Sequence, residues 1–178
     1  VAIEHFTIET LDDVHAAVAR VGELAENPAA AERTLAQFNA RLAAVKARAE
    51  PLPSPRVMFL LGYEHPAVAG GETFLGDLVE LCGGVNAGDP GREHKRWRSP
   101  GLEAICQARP EVIFCQVPPD QRRAAADYWL SLENLPAARD GRVHVLTDRR
   151  WSIPSTFHAE AAGRLLRMMH DLPAEDAP

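Results

Sequence analysis

The stretch PLPSPRVMFLL, residues 51–61, decides the fold class, because a proline-rich break leads directly into a strand-length apolar run. Each proline lacks a backbone N–H and restricts the residue before it, so no helix continues through this break. Two further apolar runs of similar length follow, at 111–117 and 142–146. Helical patterns follow the three runs, at 73–82, 120–130 and 155–170. This alternation predicts an α/β fold: a three-layer lobe with a largely parallel sheet flanked by helices.

Two helices are predicted before the break. Thr10 and Asp13 form a capping arrangement, and apolar residues at three- and four-residue spacing continue that helix to about Ala25. Over residues 28–49, a narrow apolar stripe marks a long helix that needs a partner on one side only. The predicted organisation is therefore a helix pair over residues 1–50 and an α/β lobe over residues 56–172.

Composition limits the classes of function. The chain has 178 residues, 46% of them hydrophobic, which is enough for one substantial core. Nineteen Lys and Arg against twenty-five Asp and Glu give a net charge of -6, so the chain as a whole repels nucleic acid and anionic membranes. No apolar run approaches the ~18 residues of a spanning helix. We therefore expect a soluble domain, monomeric and without nucleic-acid partners, whose basic residues act only locally.

The stretch ETFLGDLVELCGGVNAG, residues 72–88, holds a cysteine beside paired glycines. Cys82 falls on the apolar face of the predicted helix, where burial makes a thiol inert. Gly83 supplies the left-handed residue that ends a helix. Because the glycines follow the helix, their amides are not aimed at a phosphate. This stretch is therefore predicted to be structural.

Polar loops follow the predicted strands and carry the candidate binding residues. Trp97 lies in the most cationic segment, among Arg92, Lys95, Arg96 and Arg98. An indole in a charged loop packs on a neighbour or stacks on a ligand. The following helix is predicted to begin with Ser99 as N-cap and Pro100 at its first position, and to run to about Ala108.

Two more loops leave the same predicted sheet edge. The segment TDRRWSIPST, residues 147–156, contributes Asp148, Arg149, Arg150 and Trp151, and the loop after the first strand contributes Tyr63, Glu64 and His65. Ligands bind outside the carboxyl ends of the strands in open α/β sheets. Together the three loops predict one ligand site.

No sequence pattern indicates catalysis. The histidines show no HExxH or comparable spacing, and no GxSxG motif accompanies a serine triad. We expect no enzyme activity and no cofactor. His65 and His94, with Glu64, are weak candidates for a metal site if their loops meet.

The order of these segments resembles the C-terminal lobe of the periplasmic substrate-binding proteins of ABC importers for cobalamin, ferric siderophores and haem. The resemblance covers residues 7–170. It is carried by TFLGDLVELCGGVNA, Trp97, SPGLEAICQARPEVIF, LPAARDGRVHVL and IPS in that order. It implies that helix 28–49 is the backbone helix between two lobes. Family members have an N-terminal lobe before this helix and nothing precedes Val1, so we expect a fragment of a longer protein.

The resemblance also implies roles for individual residues. Trp97, Tyr63 and the Asp148–Trp151 loop would line the ligand cleft, and Glu103 would dock onto the importer's membrane subunit. We therefore expect an extracytoplasmic solute-binding protein that captures a metal chelate, with anionic ferric siderophores favoured by the arginines. Two alternatives remain open: a macromolecule-interaction domain that uses the basic tryptophan loops, and a divalent-metal binding protein.

Overall fold

The fold is that of a computed structural model, which describes residues 3–89 and 96–173. Its helices are α1 Leu11–Leu24, α2 Pro28–Ala49, α3 Phe74–Leu81, α4 Leu102–Gln107, α5 Arg122–Leu130, α6 Pro136–Arg139 and α7 Phe157–Met169. Its strands are β1 Arg56–Leu61, β2 Ala67–Val68, β3 Val85–Asn86, β4 Val112–Gln116 and β5 Val143–Leu146. Two 3₁₀ turns lie at Pro119–Gln121 and Arg149–Ser152. Within these described ranges, none of the helices combines the length and apolar character that a bilayer crossing requires.

The sheet is largely parallel, as predicted. β1 pairs in parallel with β4, and β4 pairs in parallel with β5. The other edge of β1 is shared: β3 pairs in parallel with its first residues, and the short β2 pairs antiparallel with its last. The carboxyl ends of β1, β4 and β5 therefore lie along one edge of the sheet.

Helices cover both faces of this sheet. Along β1, Val57 and Phe59 join the core under α1, α2, α3 and α7, whereas Met58 and Leu60 join the core under α4, α5 and α6. This alternation follows from the two-residue period of a strand. It confirms the predicted three-layer arrangement.

The helix termini test the sequence predictions closely. α2 has the predicted bounds, and Thr10 and Asp13 form the predicted capping box at α1. Gly83, with φ of 81°, follows α3 as its left-handed stop. The prediction for α4 is wrong by two residues, because Gly101 is its N-cap. Arg98 pairs with Val68 as an extended bridge, so the chain leaves this pairing before a helix can begin.

Two hydrogen bonds join the starts of α1 and α3. The amide of Phe74 donates to the carbonyl oxygen of Glu9. The amide of Leu11 donates to the carboxylate of Asp77, with an N···O distance of 2.8 Å. Burial raises the pKa of the Asp77 carboxyl, while the bond from Leu11 opposes that rise. α1 is therefore fixed to the lobe through the helix that supports the site.

Candidate ligand-binding face

The loops predicted to form a site begin together at the carboxyl edge of the sheet. The amide of Gly62 donates to the carbonyl oxygen of Gln116 at 2.9 Å, so β1 and β4 stay paired until the first loop begins. The amide of Val117 donates to the carbonyl oxygen of Leu146 at 3.0 Å. Segment 62–66 and segment 147–156 therefore leave the sheet at one level, as the sequence predicted.

Trp97 is held by backbone pairing beside β2. Val68 donates to the carbonyl of Arg98 at 2.7 Å and accepts from its amide at 3.2 Å, and Gly70 donates to the carbonyl of Arg96 at 3.1 Å. The indole of Trp97 is half-buried and packs on Phe74, with ring centroids 6.0 Å apart. Because its backbone is fixed in a ladder, Trp97 presents a preorganised aromatic surface.

The structure corrects the expectation that Trp151 lines the cleft. Its side chain is 0% exposed and packs between Phe59 and Phe157, with ring centroids at 6.0 and 5.6 Å. The cause is the 3₁₀ turn Arg149–Ser152, whose period of three residues directs consecutive side chains to different sides. Both arginines of the turn point outward and Trp151 points inward. Trp151 supports the site from beneath.

Arg149 and Arg150 differ in what they can offer a ligand. The carboxylate of Asp148 accepts from Nε and Nη2 of Arg150, the latter at 2.7 Å, and these bonds hold the pKa of Asp148 below its usual value. The Arg150 guanidinium also lies over the ring of Phe157, 4.3 Å from its centroid. Arg149 is exposed, and its guanidinium has no hydrogen-bonding or ionic partner in the described part of the chain. Arg149 is therefore the cation available at this loop.

Phe74 and His158 connect the two tryptophan loops. Their rings meet edge to face with centroids 4.8 Å apart, and His158 lies 6.4 Å from Trp151. Burial lowers the pKa of His158, so the ring is neutral near pH 7. The sequence analysis gave neither residue a binding role. Both residues lie at the start of a helix that follows the carboxyl edge of the sheet. That position in the sequence could have identified them as candidates for the site.

The remaining predicted residues lie elsewhere. Tyr63 is half-buried at the same edge but on the other face of the sheet, where its ring meets Tyr128 with centroids 5.6 Å apart. Arg96 is exposed and close enough to the start of α1 to contribute to a lowered pKa of Asp13, after the bonds from Glu9 and Thr10. Glu103 is exposed on α4, and its carboxylate accepts from Gln107 at 3.2 Å.

Several candidates fall outside the described residues, namely Arg92, His94 and Lys95. The proposed pairing of His65 with His94 is therefore not tested by the geometry, and His65 itself is exposed. Among the residues that are described, no group of three or more His, Cys, Asp or Glu side chains is arranged to hold a metal.

An apolar groove of about 500 Å³ adjoins this face. It runs between α1 and the start of α2 and reaches segment 154–156, which begins three residues after Trp151. Among the described residues, the face offers a fixed indole, a second aromatic layer and the unpaired guanidinium of Arg149. These groups suit binding of a flat or anionic molecule, and the described residues show no nucleophile paired with a base.

Comparison with known proteins gives consistent results. A sequence model of the family described as periplasmic binding protein matches residues 6–149. A cobalamin-binding protein of Halobacterium salinarum is 27% identical over 171 residues, covering 91% of this chain and 45% of that protein. The chain thus spans about half the length of the curated relatives that it matches.

Solved structures share the fold. The haem-binding protein RhuT of Roseiflexus sp. RS-1 superposes with a TM-score of 0.77 at 24% identity, covering 92% of this chain and 64% of that one. The vitamin B12 binding protein BtuF of Vibrio cholerae superposes with a TM-score of 0.79 at 16% identity, covering 98% and 67%. Because the family model matches well over half of the chain, this protein belongs to the periplasmic binding protein family.

Proposed function

We propose that this chain is part of the solute-binding component of an ABC importer, which captures a metal chelate outside the cytoplasm and delivers it to the membrane permease. Family membership supports the binding class, since the named relatives bind solutes and none is named as an enzyme. The observation that carries the proposal is the half-exposed indole of Trp97, fixed on Phe74 at the carboxyl edge. Flat conjugated surfaces of chelates stack on such rings.

The charge at this face favours one class of chelate over the others. Arg149 is unpaired in the described region, whereas Arg150 is largely neutralised by Asp148. Guanidinium groups recognise carboxylates and similar oxyanions with paired hydrogen bonds. We therefore favour an anionic ferric siderophore, with haem and cobalamin as the other members of the proposed class.

Tryptophan fluorescence tests the proposal directly. The protein has three tryptophans, of which Trp129 and Trp151 are fully buried and Trp97 is not. Titration with a ferric catecholate siderophore, haem or cobalamin should give saturable quenching with at least one of them. Trp97→Phe should remove most of that quenching, because Trp97 is the indole at the face.

A matched pair of arginines provides the control. Arg149→Ala should weaken binding of an anionic chelate about tenfold, the effect of losing one charge-assisted hydrogen bond. Arg123→Ala removes another exposed arginine, on α5, and should leave affinity unchanged. Among the described residues, the only ionic contact of Arg123 is Asp127 at 3.6 Å. Absence of saturable quenching by all three chelates would rule the proposal out.

A further inference from the structure

A second cavity lies at the opposite edge of the sheet from Trp97. It has a volume of about 590 Å³ and is formed where the strands begin, by segment 53–56, the end of α4 and the connection from α6 to β5. Its charged lining residues are Arg56, Arg109, Glu111, Arg139, Asp140 and Arg142. A strand rises about 3.3 Å per residue, so strands of five or six residues separate the two sites by roughly 15–20 Å. This cavity is therefore distinct from the proposed chelate site.

The cavity is electropositive in an acidic protein. Four arginines and two carboxylates line it, an excess of two positive charges, whereas the whole chain carries -6. Both carboxylates are already engaged: Glu111 accepts from the amide of Arg56 at 2.7 Å, and Asp140 accepts from Nε and Nη2 of Arg139 at 2.8 and 3.0 Å. Such a concentration of guanidinium groups attracts an anion.

Two of the arginines are fixed by the fold. Arg56 donates through Nε and Nη2 to the carbonyl oxygen of Ala108, at 3.2 and 2.8 Å. Arg142 donates through Nη2 to the carbonyl oxygen of Met169. The Nε of Arg142 is buried without a hydrogen bond in the described structure, and its nearest carboxylate oxygen, from Asp171, lies 3.3 Å away. Arg56 and Arg142 are therefore held in place by backbone carbonyls, and Arg142 is also ion-paired with Asp171.

Arg109 is the lining arginine whose side chain is not held by the described residues around it. It follows α4 with a φ of 48°, a left-handed conformation that glycine adopts at helix ends without strain. Its guanidinium has no hydrogen bond or ion pair with any described residue, although it lines the cavity. Glu26 and Asp171 adopt the same conformation after α1 and α7, so the backbone of Arg109 is that of a helix end, and the free cation that it presents to the cavity is what indicates a binding role.

We propose that this cavity binds a small free polyanion, with two or more phosphate or carboxylate groups, through Arg109 and the fixed arginines around it. The volume lies within the range of small-molecule sites. The guanidinium forks match the paired oxygens of both group types. This binding is independent of chelate capture at the other edge.

Thermal unfolding of the protein with added anion tests this site. Pyrophosphate or citrate should raise Tm saturably, beyond the effect of KCl at the same ionic strength. Arg109→Gly should weaken this response at least about tenfold in the apparent Kd. Without anion, the same variant should raise Tm by about 2–4 °C, because glycine relieves the left-handed strain. A misfolded variant would show the opposite change in Tm.

Two controls isolate the site. Arg33→Ala removes an exposed arginine of α2, and Arg123→Ala removes one of α5, so both should keep the full anion response. The proposal is overturned if neither anion acts beyond KCl, or if Arg109→Gly responds as the unmodified protein does. It is equally overturned if the two control variants lose the response to the same extent as Arg109→Gly.

Discussion

At the scale of one residue, Cys82 shows how burial makes a thiol unreactive. The thiol is fully buried and donates to the carbonyl oxygen of Ala162, with an S···O distance of 3.4 Å. Burial raises its pKa to about 12, and burial likewise raises the pKa of Cys115 to about 11. Only the thiolate is nucleophilic. Cys82 and Cys115 are therefore core residues.

Alkylation at pH 8 should leave Cys82 unmodified in the folded protein. With a pKa of about 12, the thiolate fraction is on the order of one part in ten thousand, and burial blocks the reagent as well. Iodoacetamide followed by peptide mass spectrometry should show labelling of Cys82 only after denaturation. Cys106, which is half-buried, is the internal comparison. Labelling of Cys82 at the rate of Cys106 in the native state would contradict the prediction.

Single residues were predictable where their helix dictated their direction. Cys82 and Gly83 were read correctly, because a helical period places one on the core side and the other at the stop. Trp151 was read wrongly, because its polar neighbours suggested exposure. A 3₁₀ turn needs only three or four residues, too few for a period to appear in the sequence.

At the scale of elements, α3 fits the sheet through glycines that leave no room for a side chain. A Cβ on Gly76 would overlap the carbonyl oxygen of Gly70 and lie 3.1 Å from Nδ2 of Asn86. Gly70 also accepts from the hydroxyl of Thr73, the N-cap of α3, at 2.8 Å. The start of α3 is thus packed directly onto backbone beside Trp97.

Gly76→Ala should destabilise the protein by about 1–3 kcal/mol, because a backbone carbonyl cannot move aside as a side chain does. Gly163→Ala is the matched control within α7, where the nearest atom to an added Cβ is the flexible end of Arg167 at 3.8 Å. This second variant should stabilise by about 0.5–1 kcal/mol through helix propensity. Urea unfolding measures both. Equal effects of the two substitutions would contradict the close-packing argument.

Long elements were predictable and short ones were not. β1 and α2 have the predicted bounds, because prolines delimit them and their apolar periods extend over several residues. β2 and β3 contain two residues each and α6 contains four. Such lengths carry no readable period, and pairing with β1 creates the two short strands. Strand β2, which positions Trp97, could therefore not be predicted from the sequence.

At the scale of the whole molecule, the proposed importer role requires a second surface, for the permease, that is separate from the proposed ligand face. Glu103 is exposed on α4, away from the aromatic group around Phe74, and the family resemblance assigns it to permease docking. The resemblance implies that Glu103 meets arginines of the permease, so Glu103→Arg would place like charges across that interface and should lower uptake of the chelate into cells at least about tenfold. Chelate affinity, measured by fluorescence titration, should not change.

Glu32→Arg on α2 is the matched control, because it makes the same charge reversal at another exposed helix position. It should leave both uptake and affinity intact. If uptake falls equally in the two variants, net charge and not docking determines transport. If Glu103→Arg leaves uptake unchanged while loop arginines control partner binding, the macromolecule-interaction alternative gains support.

The paired hydrogen bonds between α1 and α3 have a consequence for cooperativity. They run in opposite directions across one junction, from Phe74 to Glu9 and from Leu11 to Asp77, so the start of α1 separates only when both are broken. Phe74 is also the ring on which Trp97 rests. Local unfolding of α1 therefore also frees the amide of the residue on which the indole rests, so we expect the amides of Leu11 and Phe74 to lose protection from hydrogen exchange in the same event.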